Sequence, residues 1–333
     1  MVRCLNRAAA PVKAAQQSGE PSTHTPVLFQ PVLDGLQIKP GGRYIDATLG
    51  GGGHAQGILA ASAPDGRLLG LDRDPAAVEG VRARLAATAE RCLLVHSSYA
   101  HVAQVAHEHR FDPVDGILFD LGLSSLQLAD SQRGFAFMRE GPLDMRFDPT
   151  VEGPTAATLV NELSLNELTT ILYDFGEERQ ARRIARAIIE ARPVRTTSEL
   201  AAVIEQVSSG TRRPGGPRGR IHPATRAFQA LRIAVNGELA ALELALPEAV
   251  QLLAPGGRLV VISFHSLEDR LVKRFMRRES QDCICPPGLP ICTCEHRATL
   301  HLVGRKAVKA KEEEIEANPR ARSARLRVAE RLG

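Results

Sequence analysis

Four consecutive glycines, Gly50–Gly53, and an aspartate, Asp72, are the residues whose spacing first suggests chemistry. The glycines follow a short apolar stretch and precede helix-forming residues, which predicts a strand, a tight turn and a helix. Such a turn lets a ligand approach backbone N–H groups at the helix N-terminus. Asp72 ends a second apolar stretch about 20 residues later, where a βαβ unit places a carboxylate against ribose hydroxyls. A flexible surface linker is the alternative, but the spacing to Asp72 favours a nucleotide site.

Further polar residues follow apolar stretches at positions that would face a ligand. Asp120 ends one such stretch and is followed by Ser124 and Ser125, and His265 ends another. Because the carboxyl ends of parallel strands line the ligand crevice of an open sheet, Asp120 is placed to do chemistry there. Asp120 could instead cap the next helix, and His265 could be a structural histidine. Tyr99 predicts an aromatic wall against an adenine, with plain packing as the alternative.

Four of the six cysteines crowd one loop, whereas Cys4 and Cys92 stand alone. The four are Cys283, Cys285, Cys292 and Cys294. They could bind a zinc ion as thiolates, remain reduced thiols or form disulfides, and the C-x-C spacing leaves these alternatives open. No pairing of these cysteines would span the fold, so a reducing cytoplasm is the expected location.

The elements that must position these residues alternate between apolar stretches and helix-forming segments, which predicts an α/β fold with a Rossmann-like sheet. The alternation stops over residues 155–207, where only helical patterns occur, one of them over Glu177–Ala191. It resumes with one predicted long helix, Thr225–Leu253, and a buried strand over Arg258–His265. A last alternating stretch, Ala324–Val328, predicts a final strand and a sheet closed by an antiparallel pair.

These patterns predict a division of the chain into domains. We expect a discontinuous α/β domain of residues 23–133 and 225–333 and an inserted, basic helical domain of residues 134–224. Residues 1–22 contain Arg3, Arg7 and Lys13 but no acid before Glu20, and they lack an apolar core. A disordered arm is the expected state of this segment, with an organellar presequence or a misplaced start codon as alternatives.

The formal net charge of +4 hides an uneven distribution of charge. Residues 177–232 carry 12 basic and 5 acidic side chains, and residues 270–333 carry 15 and 8, so each region has a net charge of +7. The remainder is acidic. Clustered positive charge predicts a polyanionic partner such as a nucleic acid, although a solvated helical face is the alternative. No apolar run approaches the length of about 20 residues needed to cross a bilayer.

Several phrases of the sequence together resemble the RsmH (MraW) family. They are His24–Leu28, Tyr44–His54, Leu71–Pro75, Asp120–Gln127, Gly141–Arg146, His222–Arg226, Ile262–Asp269 and Asn318–Ser323. Members of this family are S-adenosylmethionine-dependent methyltransferases that act on N4 of cytosine 1402 in bacterial 16S rRNA. The resemblance implies a class I methyltransferase sheet with a helical insertion, matching the pattern above.

The resemblance also implies which residues bind S-adenosylmethionine. The glycine turn would contribute Gly52, Gly53 and His54. Asp72 would bind the ribose, Tyr99 would lie beside the base, and Asp120 and Gln127 would lie near the methionine end. Tyr99 stands where the family is expected to have phenylalanine, and Thr48 stands where many methyltransferases of this fold have their first glycine.

The mechanism that follows places catalysis at the end of the fourth strand. We expect Asp120 to assist the acceptor amine, while Ser124, Ser125 and the Phe264–His265 pair shape the pocket for an extruded base. No active-site metal is required for methyl transfer. Basic residues of the insertion would bind phosphates of 16S rRNA within the small ribosomal subunit. They are Arg182, Arg183, Arg186, Arg212, Arg213, Arg218 and Arg220.

Two functions of other classes compete with this one. The glycine turn and Asp72 also fit an NAD-dependent oxidoreductase, and the basic surface fits a non-catalytic rRNA-binding assembly factor. No membrane partner is expected, and the sequence leaves a homodimer open.

Overall fold

The computed structural model describes residues 26–209, 222–286 and 291–333. The predicted N-terminal arm of residues 1–22 and the arginines at positions 212–220 lie outside these ranges. The strands in the described ranges are β1 (Arg43–Asp46), β2 (Arg67–Asp72), β3 (Cys92–His96), β4 (Val114–Asp120), β5 (Leu253–Ser263), β6 (Leu300–Leu302) and β7 (Arg325–Arg331). The helices there are α1 (Phe29–Leu36), α2 (Gly53–Ala61), α3 (Pro75–Arg84), α4 (Val102–Glu108), α5 (Ser125–Ala129), α6 (Ala156–Glu162), α7 (Leu165–Asp174), α8 (Ala181–Glu190), α9 (Thr197–Ser209), α10 (Ala224–Asn236), α11 (Glu238–Leu252), α12 (Ser266–Glu279) and α13 (Glu312–Ala317).

The strands form one sheet in the order β3-β2-β1-β4-β5-β7-β6. The first five strands are parallel, β7 pairs antiparallel with β5, and β6 pairs antiparallel with β7. This topology confirms the predicted α/β Rossmann-like sheet and its antiparallel closing pair. Because parallel strands end at one edge, the carboxyl ends of β1, β2 and β4 lie side by side.

Helices cover both faces of the sheet, so its central strands are apolar on both sides. Strand β4 shows this directly: Ile117 and Phe119 enter the core cluster that contains α4 and α11, whereas Leu118 enters the cluster that contains α1 and α2. A third cluster joins apolar residues of α6 to α10, including Val160, Ile184 and Leu231. The helical part of the chain therefore has its own core.

The predicted single helix over Thr225–Leu253 is wrong, because the structure has two helices there. Helix α10 ends at Asn236, and Gly237 adopts a left-handed conformation with a φ of 62°. A glycine takes that conformation at little cost and ends the helix, and α11 then begins at Glu238. The Asn-Gly pair was the available signal for this break.

Two smaller differences concern strand β5 and helix α8. Strand β5 starts at Leu253 and includes the Pro255–Gly257 segment, where its pairing with β4 shifts register. Helix α8 begins at Ala181 rather than Glu177, because Glu177 has a φ of 48° and its carboxylate accepts hydrogen bonds from Ser266 and Arg270. In the described ranges, no helix combines the length and apolar character needed to span a membrane.

Candidate active site at the carboxyl edge of the sheet

A pocket lies where the parallel strands end, with about 1380 Å³ of space unfilled by protein atoms, including the open solvent at its mouth. All predicted site residues except Gly52 and His265 line it. Those that do are Gly53, His54, Asp72, Tyr99, Asp120, Ser124, Ser125 and Gln127. The topology thus brings residues from four separate parts of the chain to one cavity.

The glycine turn forms the floor of this pocket, and two of its four glycines have no room for a side chain. Gly52 has a φ of 77°, and a Cβ atom on it would lie 2.8 Å from a methyl group of Val81. A Cβ atom on Gly53 would lie 2.3 Å from Pro26. Gly52 therefore serves the fit of the turn against α3, while its neighbours Gly50, Gly51 and Gly53 face the cavity.

Asp72 connects the end of β2 to the glycine turn. Its Oδ2 accepts a hydrogen bond from the Gly50 amide at 2.7 Å, and its Oδ1 accepts one from the Asp74 amide at 2.8 Å. Each carboxylate oxygen has a second lone pair, which leaves capacity for a ligand. Burial raises the pKa of Asp72 to about 6, so the carboxyl is still mostly ionised at neutral pH.

Tyr99 forms an aromatic wall of the pocket. Its ring packs edge-on against Phe119 with the ring centroids 5.8 Å apart. Its hydroxyl donates a hydrogen bond to the Glu238 carbonyl oxygen at 3.3 Å. The ring is therefore held in place from behind, and this packing does not prevent it from also meeting a planar base.

A buried carboxyl, a half-buried carboxyl and a buried histidine come close together at the pocket. His54 Nε2 lies 3.6 Å from Asp120 Oδ2, and Asp46 ends the neighbouring strand. Among the described residues, Asp46 Oδ2, Asp120 Oδ1 and His54 Nε2 have no hydrogen-bond partner. Buried polar atoms are nearly always paired in native proteins, so the unpaired atoms of Asp120 and His54, which line the pocket, are the ones that a ligand would satisfy.

Burial controls the protonation of this cluster. Burial, followed by the nearby charges of Asp46 and Glu268, raises the pKa of Asp120 to about 8. Burial also raises the pKa of Asp46 to about 7 and lowers that of His54 to about 4. At neutral pH His54 is therefore neutral, and Asp120 is largely protonated until a positive charge approaches.

The start of α5 is arranged by a capping box. Ser124 Oγ accepts a hydrogen bond from the Gln127 amide at 3.2 Å, and Gln127 Oε1 accepts one from the Ser124 amide at 3.1 Å. Gln127 Nε2 also donates to Asp74 Oδ2 at 3.0 Å, which ties α5 to the end of β2. Ser125 Oγ accepts a hydrogen bond from Arg320.

His265 does not reach the pocket. Its ring caps α12, because Nδ1 accepts a hydrogen bond from the Glu268 amide at 3.4 Å and Nε2 lies 3.0 Å from Glu268 Oε1. These contacts favour the structural alternative for His265. The adjacent Phe264 does line the pocket, as expected from the sequence.

Sequence reasoning missed several polar residues of the pocket, among them Arg320 and Glu238. Arg320 belongs to the Asn318–Ser323 motif, so a signal for it existed, but its partner Ser125 is 195 residues away in sequence. Glu238 follows the unexpected helix break at Gly237. Its carboxylate forms a buried bidentate ion pair with Arg232, with both N–O distances at 2.8 Å.

Comparisons with known proteins match nearly the whole chain. A model of the MraW methylase family matches residues 21–332. The ribosomal RNA small subunit methyltransferase H of Thermomicrobium roseum is 55% identical over 93% of this chain and 94% of its own. The proteins of the same name from Syntrophotalea carbinolica and Dehalococcoides mccartyi are 53% and 51% identical over 93% of this chain, and over 98% and 86% of their own chains.

A solved structure of an rRNA methylase from Streptococcus thermophilus aligns with 91% of this chain and 95% of its own, at 11% identity and a TM-score of 0.40. The family model spans nearly the whole chain, and it confirms the resemblance expected from the motifs. The chain belongs to the MraW methylase family.

Proposed function

We propose that this protein transfers a methyl group from S-adenosylmethionine to the exocyclic N4 of cytosine 1402 in 16S rRNA of the small ribosomal subunit. Relatives that match over most of their length carry the name of small-subunit rRNA methyltransferases. The observation that supports the chemistry is the pocket at the carboxyl edge, where Asp72, Tyr99 and Asp120 surround the glycine turn. An NAD-dependent oxidoreductase would have the same glycine turn, but these relatives are named methyltransferases and not oxidoreductases.

The residues of the pocket fit S-adenosylmethionine. When bound, this cosubstrate supplies an activated methyl group on a cationic sulfonium. The Asp120 carboxyl lines the pocket and has an unpaired oxygen, and it suits a cation, because an opposite charge favours its ionised form. The buried Asp46 carboxyl lies near it. Asp72 keeps free lone pairs for ribose hydroxyls, and the wall formed by Tyr99 suits the adenine.

Asp120 is the residue that we propose to act on the acceptor amine. The lone pair of the N4 amine is delocalised into the cytosine ring, which makes the amine a poor nucleophile. A carboxylate that accepts its N–H bonds favours the nucleophilic form and can receive the proton after methyl transfer. The Asp120 amide donates to Thr48 Oγ1 at 2.6 Å, which fixes the backbone that carries this side chain.

Other residues position the reactants, since alignment of donor and acceptor is the main requirement of a displacement reaction. Ser124, Ser125 and Gln127 form the α5 edge, where the extruded cytosine would enter. His265 acts as a positioning residue by capping α12 behind Phe264. Arg320 holds Ser125 by donating a hydrogen bond to its hydroxyl oxygen.

The acidity of Asp120 predicts how the reaction depends on pH. We expect kcat/KM to rise with pH up to about 8 and then level off, because only ionised Asp120 accepts the proton. Asp46→Asn removes a negative charge that raises the pKa of Asp120, so the inflection should move to lower pH. A pH profile of methylation rates checks this. Asp65→Asn, an exposed and equal change of charge, is the control, and an unmoved inflection in Asp46→Asn would contradict the assignment.

A basic groove in the helical region is the proposed contact with rRNA phosphates. Arg182, Arg183 and Arg186 are exposed on α8 and line a cavity with Glu190 and Val207. Lysine and arginine contacts to phosphates position an RNA without reading its sequence. Residues 134–224 would accordingly act as the inserted rRNA-recognition domain, and the enzyme would work in the cytoplasm on the small subunit.

This groove predicts a salt effect. Replacing Arg182, Arg183 and Arg186 together by alanine should make the slope of log K against log salt shallower by about 2 to 3, since each lost phosphate contact removes about 0.7 to 0.9. Filter binding of 16S rRNA at several salt concentrations measures the slope. The matched control replaces three exposed cations of the sheet domain, Lys39, Arg67 and Arg82, and an equal slope change there would remove the specific role of the groove.

Two assays test the proposed function itself. Calorimetry should detect binding of S-adenosylmethionine or its demethylated product to the purified chain. Labelled S-adenosylmethionine should then transfer its methyl group to small subunits that lack the modification, and mass mapping of 16S rRNA should locate it at cytosine 1402. Absence of binding to either ligand would overturn the proposal, and binding of RNA without methylation would favour an assembly factor.

A further inference from the structure

The connection between α12 and β6 is a long excursion without helix or strand in its described part, residues 280–286 and 291–299. Loops of this length rarely occur without a function or a cross-link of their own. Its two ends are joined, because the Thr299 amide donates to the Glu279 carbonyl oxygen at 2.8 Å and Thr299 Oγ1 donates to Glu279 Oε2 at 2.9 Å. The loop therefore leaves the end of α12 and returns to almost the same place.

Four cysteine sulfurs meet inside this excursion. The Sγ–Sγ distances are 3.5 Å from Cys292 to Cys294, 3.8 Å from Cys294 to Cys283 and 3.9 Å from Cys285 to Cys292. All four sulfurs lie within 4.8 Å of one another. All four thiols are free.

These distances match a tetrahedral metal site. A zinc ion with Zn–S bonds of about 2.3 Å requires sulfurs about 3.8 Å apart. The C-x-C spacing, which is less telling in sequence than C-x-x-C, is therefore no obstacle here, because Cys292 and Cys294 already lie at chelating distance. One cysteine pair comes from each arm of the loop, so one ion would cross-link both arms.

Backbone amides support the sulfurs. The Ile284 amide donates to Cys294 Sγ and the Thr293 amide donates to Cys285 Sγ, both at 3.4 Å. Each bond runs from one arm to the sulfur of the other. Hydrogen bonds of this kind orient the ligands of metal sites and stabilise thiolates. The four cysteines are half-buried or exposed, so apolar burial alone does not explain why they gather.

We propose that Cys283, Cys285, Cys292 and Cys294 bind one zinc ion that cross-links the two arms of this loop. Four protein ligands close the coordination sphere, which is the arrangement of structural rather than catalytic zinc. The four sulfurs are absent from the lining of the pocket at the carboxyl edge. The ion would supply the folding free energy that the loop lacks in apolar burial.

Metal analysis of the full-length protein, purified without a polyhistidine tag and under reducing conditions, tests this proposal. We expect about one zinc per chain. The double variant Cys285→Ser/Cys292→Ser should contain none, whereas Cys92→Ser, which alters a cysteine of β3 outside the cluster, should retain the ion. Iron in place of zinc, or a wild-type protein that contains no metal and takes up no added zinc, would overturn the proposal.

A second measurement covers the case in which the double variant does not fold. Zinc removed from the wild-type protein by a chelator can be replaced with Co²⁺, and the four thiolates should then give thiolate-to-cobalt charge-transfer bands and the intense visible bands of a tetrahedral ion. The same removal should speed both the reaction of the cysteines with a thiol reagent and proteolysis of the loop. Weak octahedral Co²⁺ bands, or thiol reactivity that the chelator does not change, would contradict the site.

Discussion

Asp120→Asn should lower the rate of methyl transfer by about 10² to 10⁴-fold, the usual contribution of a positioned proton acceptor. Asparagine keeps the size of the side chain, but it cannot take up the proton or stabilise a positive charge as a carboxylate does. The Asp120 side chain is only 26% exposed, and its Oδ1 is buried without a protein partner. A water molecule therefore has little access to take over the role of the carboxylate in the variant. Single-turnover methylation of small subunits at saturating S-adenosylmethionine measures the loss.

Calorimetry on the same variant separates two roles for Asp120. If Asp120 only binds the cosubstrate, the loss of affinity should account for the whole loss of activity, and saturation should restore the rate. If it also accepts the proton, the rate should remain low at saturation. Asp115→Asn, in the same strand and beside the Arg43 amide, is the control. Unchanged affinity and rate in Asp120→Asn would rule out both roles.

Arg232→Met should lower the free energy of unfolding by about 3 to 5 kcal/mol, because it leaves a buried carboxylate without its partner. Arg232 and Glu238 are 13% and 5% exposed, and their bidentate pair joins α10 to the start of α11 across Gly237. Because total stabilities are about 5 to 15 kcal/mol, this is a large share. Urea unfolding followed by circular dichroism measures the change.

Two further variants make the measurement specific. Arg82→Ala breaks an exposed pair with Glu79 and should cost no more than about 1 kcal/mol. Adding Glu238→Gln to Arg232→Met should recover part of the loss, since the unpaired charge is then gone. A loss in Arg232→Met no larger than that in Arg82→Ala would show that the pair does not stabilise this corner.

The sequence predicted those features of the site that are formed by residues close together along the chain. The strand, glycine turn and helix of Tyr44–Ala61 and the carboxylate at Asp72 form one local unit, and the parallel sheet then places Asp120 beside it. Gly52 shows the limit of this reasoning, because sequence alone does not distinguish a glycine that meets a ligand from one that meets Val81.

Contacts between distant segments escaped prediction. Arg320 reaches Ser125 only because β7 returns the chain to the sheet, and no periodic pattern encodes that meeting. The approach of Cys283 and Cys285 to Cys292 and Cys294 likewise depends on how both arms of a loop fold back. The sequence spacing left a zinc site, reduced thiols and disulfides as alternatives, whereas the positions of the four sulfurs favour a zinc site.

The place of β7 in the sheet has a consequence for biosynthesis. Strand β7 (residues 325–331) pairs with both β5 and β6. These two earlier strands therefore cannot complete their pairing until the ribosome has made β7. Until that segment leaves the exit tunnel, one edge of β5 has unpaired backbone N–H and C=O groups along the apolar residues Leu259–Ile262. Such an edge can pair with strands of other chains. A nascent chain of this protein therefore needs shielding at β5 during the last stage of translation, and a stop codon before residue 325 would yield an aggregating product rather than a shortened enzyme.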